Sequence, residues 1–249
     1  MPNVTQSPSG APRPKLAGCI IALAGTADED PGVDALLNTV SRLAADTVAP
    51  VAYASITALR GGGYTTVAAS SDLVKAVDDA QYAPDGGGPC VAALDTGVPV
   101  LVPDITAVMS WPGFCEVALG MGLVASVSIP LYAGRGAPVA VLNLYGHDTA
   151  AMSPLVHAVT DLYDPPGTPD GDSAADPEPG CDDLDPGSAA LLEGLRDGIA
   201  ARATIQTAIA ALAARTRRSA DDAYALLRLR AAESGASLTA AATALISRP

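Results

Sequence analysis

Two cysteines set the first chemical question. Cys90 follows three glycines and a proline in GGGPC (86–90), and Cys115 closes WPGFC (111–115). A thiol becomes a useful nucleophile when a helix N-terminus or a neighbouring cation lowers its pKa. Cys90 stands where a first helical turn can begin, but no Lys, Arg or His lies near it in sequence, so a packed structural thiol is the expectation. The glycine run is no phosphate loop, because the Lys and Ser/Thr of GxxxxGK[ST] are missing, and no Ser-His-Asp order or HExxH occurs. The four cysteines, Cys19, Cys90, Cys115 and Cys181, form no CxxC pair and are joined only by His147 and His157. No metal site and no cofactor are expected, and the thiols read as reduced.

Guanidinium chemistry gathers at the other end. The net charge of the chain is −13, which repels phosphate, yet residues 191–249 carry eight arginines against five acids. Arg215, Arg217 and Arg218 crowd one turn, and Arg228 and Arg230 follow, with Tyr224 one helical turn before Arg228. Guanidinium groups pair bidentately with phosphate, and an aromatic ring can stack on an unpaired loop base. The same residues also fit a solvated helix surface balanced by Asp221 and Asp222. Arg202 falls within an apolar stripe, where it can pack its stem and reach an acid across a dimer, or meet RNA.

The elements that must position these groups fall into two domains. Residues 1–15, rich in Pro, Ser and Gly, read as a flexible tail. Residues 164–189 hold an acidic, proline-rich run with no basic residue, which reads as an extended linker. The first domain is expected at 16–163. Leu36, Leu37, Val40, Leu43 and Ala44 form a helical stripe, VAYASITAL (51–59) reads as a strand, and GGG (61–63) turns into the partner YTTVAAS. Ser71 opens a helix through residue 82, Pro89 suits the first turn of another, VPVLV (98–102) is a strand, and a short helix follows Trp111. VASVSIPLY (124–132) and APVAVLNLY (137–145) make a hairpin around AGRG. An α+β domain results, an antiparallel sheet covered by helices.

The second domain, 190–249, reads as a small all-α bundle of three helices. Leu195, Ile199, Arg202, Ile205, Ile209 and Leu212 form one stripe, suited to another helix or another subunit. SADD (219–222) caps a second helix, and Leu238, Ala241, Ala242 and Leu245 mark a third. The apolar run LAGCIIALAG (16–25) is too short for a membrane span. It fits an amphipathic helix, although a short export signal has the same look.

The ordered run AASSD (68–72), GGGPC (86–90), ALDTGVPVLVPD (93–104), WPGF (111–114), GLVASVSIPL (122–131) and VLNLYG (141–146) resembles the GAF domain of actinobacterial regulators that carry a C-terminal ANTAR domain. That resemblance implies a GAF-like small-molecule sensor, five or six antiparallel strands flanked by helices. Arg202, Ile205, Ala208, Leu212, Arg215 and SADDAYALLR (219–228) resemble the ANTAR domain, a three-helix RNA-binding module of transcription antitermination regulators. The sequence departs from that pattern at Gln206, Thr207 and Ile209, and at Gly235, Ala236 and Ser237.

The expected protein is a cytoplasmic, signal-responsive regulator without a membrane partner, dimeric through the helix at 191–215. Its C-terminal domain binds hairpin RNA through Arg202, Arg215, Arg217, Arg218, Tyr224, Arg228 and Arg230. An unknown small-molecule ligand is expected against Tyr53, Trp111, Phe114, Cys115 and Ser126. The competing readings are an interaction module that has lost RNA binding and a thiol reductase using Cys90 and Cys115.

Overall fold

A computed structural model of the chain describes residues 15–83, 86–164 and 184–247. The expected tail, apart from Lys15, and most of the expected linker lie outside these residues. Five strands, β1 (Tyr53–Arg60), β2 (Gly63–Ala69), β3 (Val100–Val102), β4 (Ala125–Tyr132) and β5 (Pro138–Gly146), form one antiparallel sheet in the order β2-β1-β5-β4-β3. The α+β expectation therefore holds, with five strands among the described residues.

Side chains alternate across a strand, so each strand divides its residues between two layers. Ile56, Leu142 and Ile129 form one cross-strand row, and Ala54, Leu144 and Val127 the next. This face is apolar because the main core lies beneath it. That core is completed by α1 (Leu16–Ala24), α2 (Gly32–Thr47) and α6 (Thr149–Tyr163). On the opposite face lie α3 (Asp72–Tyr82), α4 (Pro89–Thr96) and α5 (Pro112–Gly120). The Ser71 side chain caps α3 by accepting from the Leu73 amide, and Gly97 ends α4 in the left-handed conformation. Helix α6, capped by Asp148, has no counterpart among the sequence expectations.

The C-terminal helices are α7 (Pro186–Thr216), α8 (Ala220–Ser234) and α9 (Leu238–Ile246). Three helices were expected, but the first begins inside the expected linker. Asp185 accepts from the amides of Gly187 and Ser188, capping it, and from Ala49 at the end of α2. Leu191, Leu192 and Leu195 then enter the core of the sheet domain, while Ile205, Ile209 and Leu212 pack with α8 and α9. The boundary expected at residue 190 thus falls inside a helix shared by both cores, because one apolar stripe serves two partners in turn. Of the stripe expected to form a dimer, Leu195, Ile205, Ile209 and Leu212 are buried within the single chain, while Ile199 and Arg202 are half-buried. Within the chain α7 packs against α1, α8 and α9.

Candidate functional site

The face of the sheet beneath α3 and α4 is polar. Ser55, Asn143 and Ser128 form one cross-strand row, and Tyr53, Tyr145 and Ser126 the next. All but Tyr53 are fully buried. Helix α3 presents Val74, Val77, Asp78 and Gln81 to this face at spacings of three and four residues.

Asp78 is the centre of the network. One carboxylate oxygen accepts from the Ser55 hydroxyl at 3.0 Å and from the Tyr145 hydroxyl at 2.8 Å; the other accepts from Thr66 at 2.9 Å. The Tyr82 hydroxyl is shared with Thr57 at 2.8 Å and Thr66 at 2.9 Å. The Asn143 amide donates to Ser55 and Thr57 while its oxygen accepts from Ser128. Burial pushes the Asp78 carboxyl up to about 6, with the hydroxyl donors opposing the rise only in part. Such a carboxyl changes charge near neutrality inside a low-dielectric layer, a property found both at functional sites and in structural networks.

The glycine run before Cys90 gains a reason here. A side chain on Gly88 would collide with Gln81, whose amide oxygen accepts from the Cys90 backbone N–H at 3.0 Å. Cys90 itself is fully buried, and burial drives its thiol well above the ordinary range. Cys115 is half-buried and also raised by burial.

The expected pocket residues do converge on this face. Phe114 packs with Val102, Ile105, Leu123 and Tyr145, with Tyr53, Trp111 and Cys115 at the margin. Phe114 and Leu123 are fully buried, so these side chains form a filled apolar cluster beside the network. Ser126 is buried with its hydroxyl lacking any hydrogen-bond partner among the described residues.

The seven residues expected to meet RNA are divided. Arg215, Arg217, Arg218 and Arg230 are exposed, and Arg215 and Arg230 border a groove of about 510 Å3 with Glu233. Arg202 instead lies over the Tyr132 ring at 4.0 Å and donates to the Gly136 carbonyl at 2.7 Å. Arg228 pairs with Glu29 at 2.7 Å. Tyr224 is buried, donates to Asp28 at 2.6 Å and has Arg135 over its ring. In this arrangement the polar groups of Arg202, Tyr224 and Arg228 serve acceptors of the sheet domain, and the Tyr224 ring is buried. The departures from the ANTAR pattern also have local causes. Ile209 is core, Gly235 ends α8 in the left-handed conformation, and the Ser237 side chain caps α9.

Sequence reasoning missed Asp78, Thr66, Gln81, Tyr82, Ser128, Asn143 and Tyr145. A signal existed, since S-x-T in β1, S-x-S in β4 and N-x-Y in β5 repeat polar groups at every second position. Only the register shows that they line one face.

Residues 31–155 match the GAF domain family. No curated protein gives a significant match to this chain. Three solved structures are similar in part. The type II free methionine-R-sulfoxide reductase of Thermoplasma acidophilum is 13% identical, covers 53% of this chain and 89% of its own, and has a TM-score of 0.36. The A. aeolicus nlh2 GAF domain in an inactive state is 12% identical over 57% of this chain and 85% of its own, with a TM-score of 0.39. A domain assigned to a two-component sensor histidine kinase protein of Sinorhizobium meliloti is 15% identical over 68% of this chain and 87% of its own, with a TM-score of 0.36. Among the described residues, no helix is long and apolar enough to cross a membrane.

Proposed function

The chain belongs to the GAF domain family, and on that premise we propose a signal-responsive regulator with the sheet domain as sensor and α7–α9 as the output. The polar face around Asp78 is the sensing element, and the output engages structured RNA, affecting transcription termination.

One observation carries this reading. Helix α7, 31 residues long, is rooted in the sensor core at Leu191 and Leu195 and ends at the exposed group Arg215, Arg217 and Arg218. A continuous helix transmits a displacement at its base to its tip, because its hydrogen-bond ladder resists bending. The resemblance to the ANTAR domain gives RNA as the anion, and the exposed arginines supply the phosphate contacts.

Replacing Arg215, Arg217 and Arg218 together by alanine is expected to weaken retention of a structured leader RNA by at least about tenfold. The slope of log affinity against log salt should fall by about 2 to 3, roughly one unit for each phosphate no longer neutralised. Gel retardation over a salt series measures both, and affinity that is absent at low salt or unaltered in the triple variant removes the RNA assignment. An output that grips another protein is the second reading, favoured by the internal engagement of Arg202, Tyr224 and Arg228. It predicts no RNA retention at any salt.

The thiols have no catalytic part in this proposal. Cys90 should react with a disulfide reagent at the rate of a shielded thiol, rising by orders of magnitude only on unfolding. Time-resolved thiol titration checks this, and fast native-state reaction at Cys90 would restore the enzyme reading.

A further inference from the structure

The loop 25–31 between α1 and α2 is docked on the C-terminal helices. Its Gly25 carbonyl accepts from the Leu238 backbone N–H at 3.0 Å, and Ala27 packs on the C-terminal core. Asp28 takes the Tyr224 hydroxyl, and Glu29 takes Arg228. The turn between β4 and β5 closes the other side. Arg135 reaches Asp28 at 3.8 Å, pairs with Asp221 on α8, and lies 5.2 Å from the Tyr224 ring centre. A side chain on Gly134 would collide with the Tyr224 hydroxyl, so the turn fits closely against α8.

We propose that this loop is an internal acidic latch that holds α8 against the sensor and occupies Arg228 and the Tyr224 hydroxyl, so that an RNA phosphate competes with Glu29 and Asp28 for these donors. The identity of the competitor rests on the proposed RNA function, while the latch itself rests on the bonds made by Asp28, Glu29 and Arg135. Two carboxylates set against a guanidinium and a phenol reproduce the charge and acceptor chemistry of a nucleic-acid backbone.

Three features make the latch releasable. Glu29 keeps 71% and Arg228 38% of their side-chain surface in water, and an exposed pair is screened and weak. A groove of about 730 Å3 between the loop and α8 runs along Arg228, giving a polyanion access to the pair. The latch also joins the sensor at two places, the loop after α1 and the β4–β5 turn, so a shift of α1 or of the sheet alters both. The latched population lowers apparent affinity for the competitor in proportion to the fraction it removes from the binding-competent form.

The test uses the full chain with the isosteric pair Asp28→Asn and Glu29→Gln, and separately Arg135→Gln on the exposed turn. Hydrogen exchange should accelerate in α8 and α9 of both variants while the amides of β1, β4 and β5 keep their protection, which also establishes that the variants fold. A stem–loop RNA should bind the double variant about tenfold more tightly than the parent at equal salt. Unchanged exchange in α8 in both variants overturns the latch. Accelerated exchange with equal RNA affinity in parent and variant overturns the competition. Accelerated exchange with no RNA bound by any form leaves the latch standing and removes the RNA reading instead.

Discussion

Raising the pH from about 4 to about 7 is expected to cost the fold up to about 3 kcal/mol through Asp78, and Asp78→Asn to abolish that component. The sign follows from the direction of the shift. Burial raises the carboxyl from 3.8 to about 6 in the folded chain. Between those values the native state binds more protons than the unfolded state, so unfolding becomes easier as pH rises. A shift of this size, at about 1.4 kcal/mol per pKa unit, gives that magnitude. Carboxylates held below the ordinary range, as Asp104 is by its hydrogen bonds from Thr106, act in the opposite direction at lower pH. The parent alone therefore shows a blend. Subtracting the Asp78→Asn profile isolates the buried group.

The asparagine preserves the local geometry. Its oxygen can accept from Ser55 and Tyr145, and its amide can donate to Thr66, whose hydroxyl already has Tyr82 as a second partner. Urea unfolding of both proteins across the pH range measures the difference. A flat difference profile would show that Asp78 titrates as an ordinary carboxyl, and the polar face would then lose its claim to a switchable charge.

The second large effect concerns two glycines of α7 that respond to the same change with opposite sign. Gly194→Ala is expected to destabilise by about 1–3 kcal/mol, and Gly198→Ala to stabilise by up to about 1 kcal/mol. A β-carbon at Gly194 would stand 2.8 Å from the Ala17 α-carbon and 3.2 Å from its carbonyl oxygen. Backbone cannot swing aside, so α1 and α7 must part, and both helices belong to the main core. At Gly198 the added carbon would lie 3.6 Å from Ile20 and 3.8 Å from Ala24, ordinary van der Waals distances. There the helix gains the propensity of alanine and fills space. Chemical denaturation of the two single variants decides the matter, and equal effects would show that α1 and α7 do not pack backbone to backbone at Gly194. Because α7 links the two cores, Gly194→Ala should also loosen the C-terminal helices in hydrogen exchange.

Much of the fold was legible in local signals. Ser71 capping α3, Pro89 opening α4, Gly97 ending it and the glycine turn between β1 and β2 act over a few residues, where backbone preference and capping decide the outcome. Helix α6 was less legible because Pro154 interrupts its pattern, yet the helix persists. Its Met152, Leu155, Val156 and Val159 are core residues, and their burial outweighs the proline.

The candidate site was legible only in parts. The alternating polar positions of β1, β4 and β5 were present in the chain, but alternation does not say which strands lie side by side. Nothing local in the sequence separates Asp78 from its neighbour Asp79 on the same helix. The tertiary structure buried it where the hydroxyls of Ser55, Thr66 and Tyr145, from three different strands, converge as donors to its carboxylate.

By itself the sequence determined an antiparallel α+β domain, a family likeness that the GAF match from 31 to 155 upholds, three C-terminal helices and a basic end to the chain. The tertiary structure decided the partners. It placed the stripe of α7 in two cores of one chain, and it bonded Arg202, Tyr224 and Arg228 to acceptors of the sheet domain. Periodicity and charge are properties of a segment, whereas burial and pairing depend on which distant segment arrives opposite, and that is fixed only when the whole chain packs.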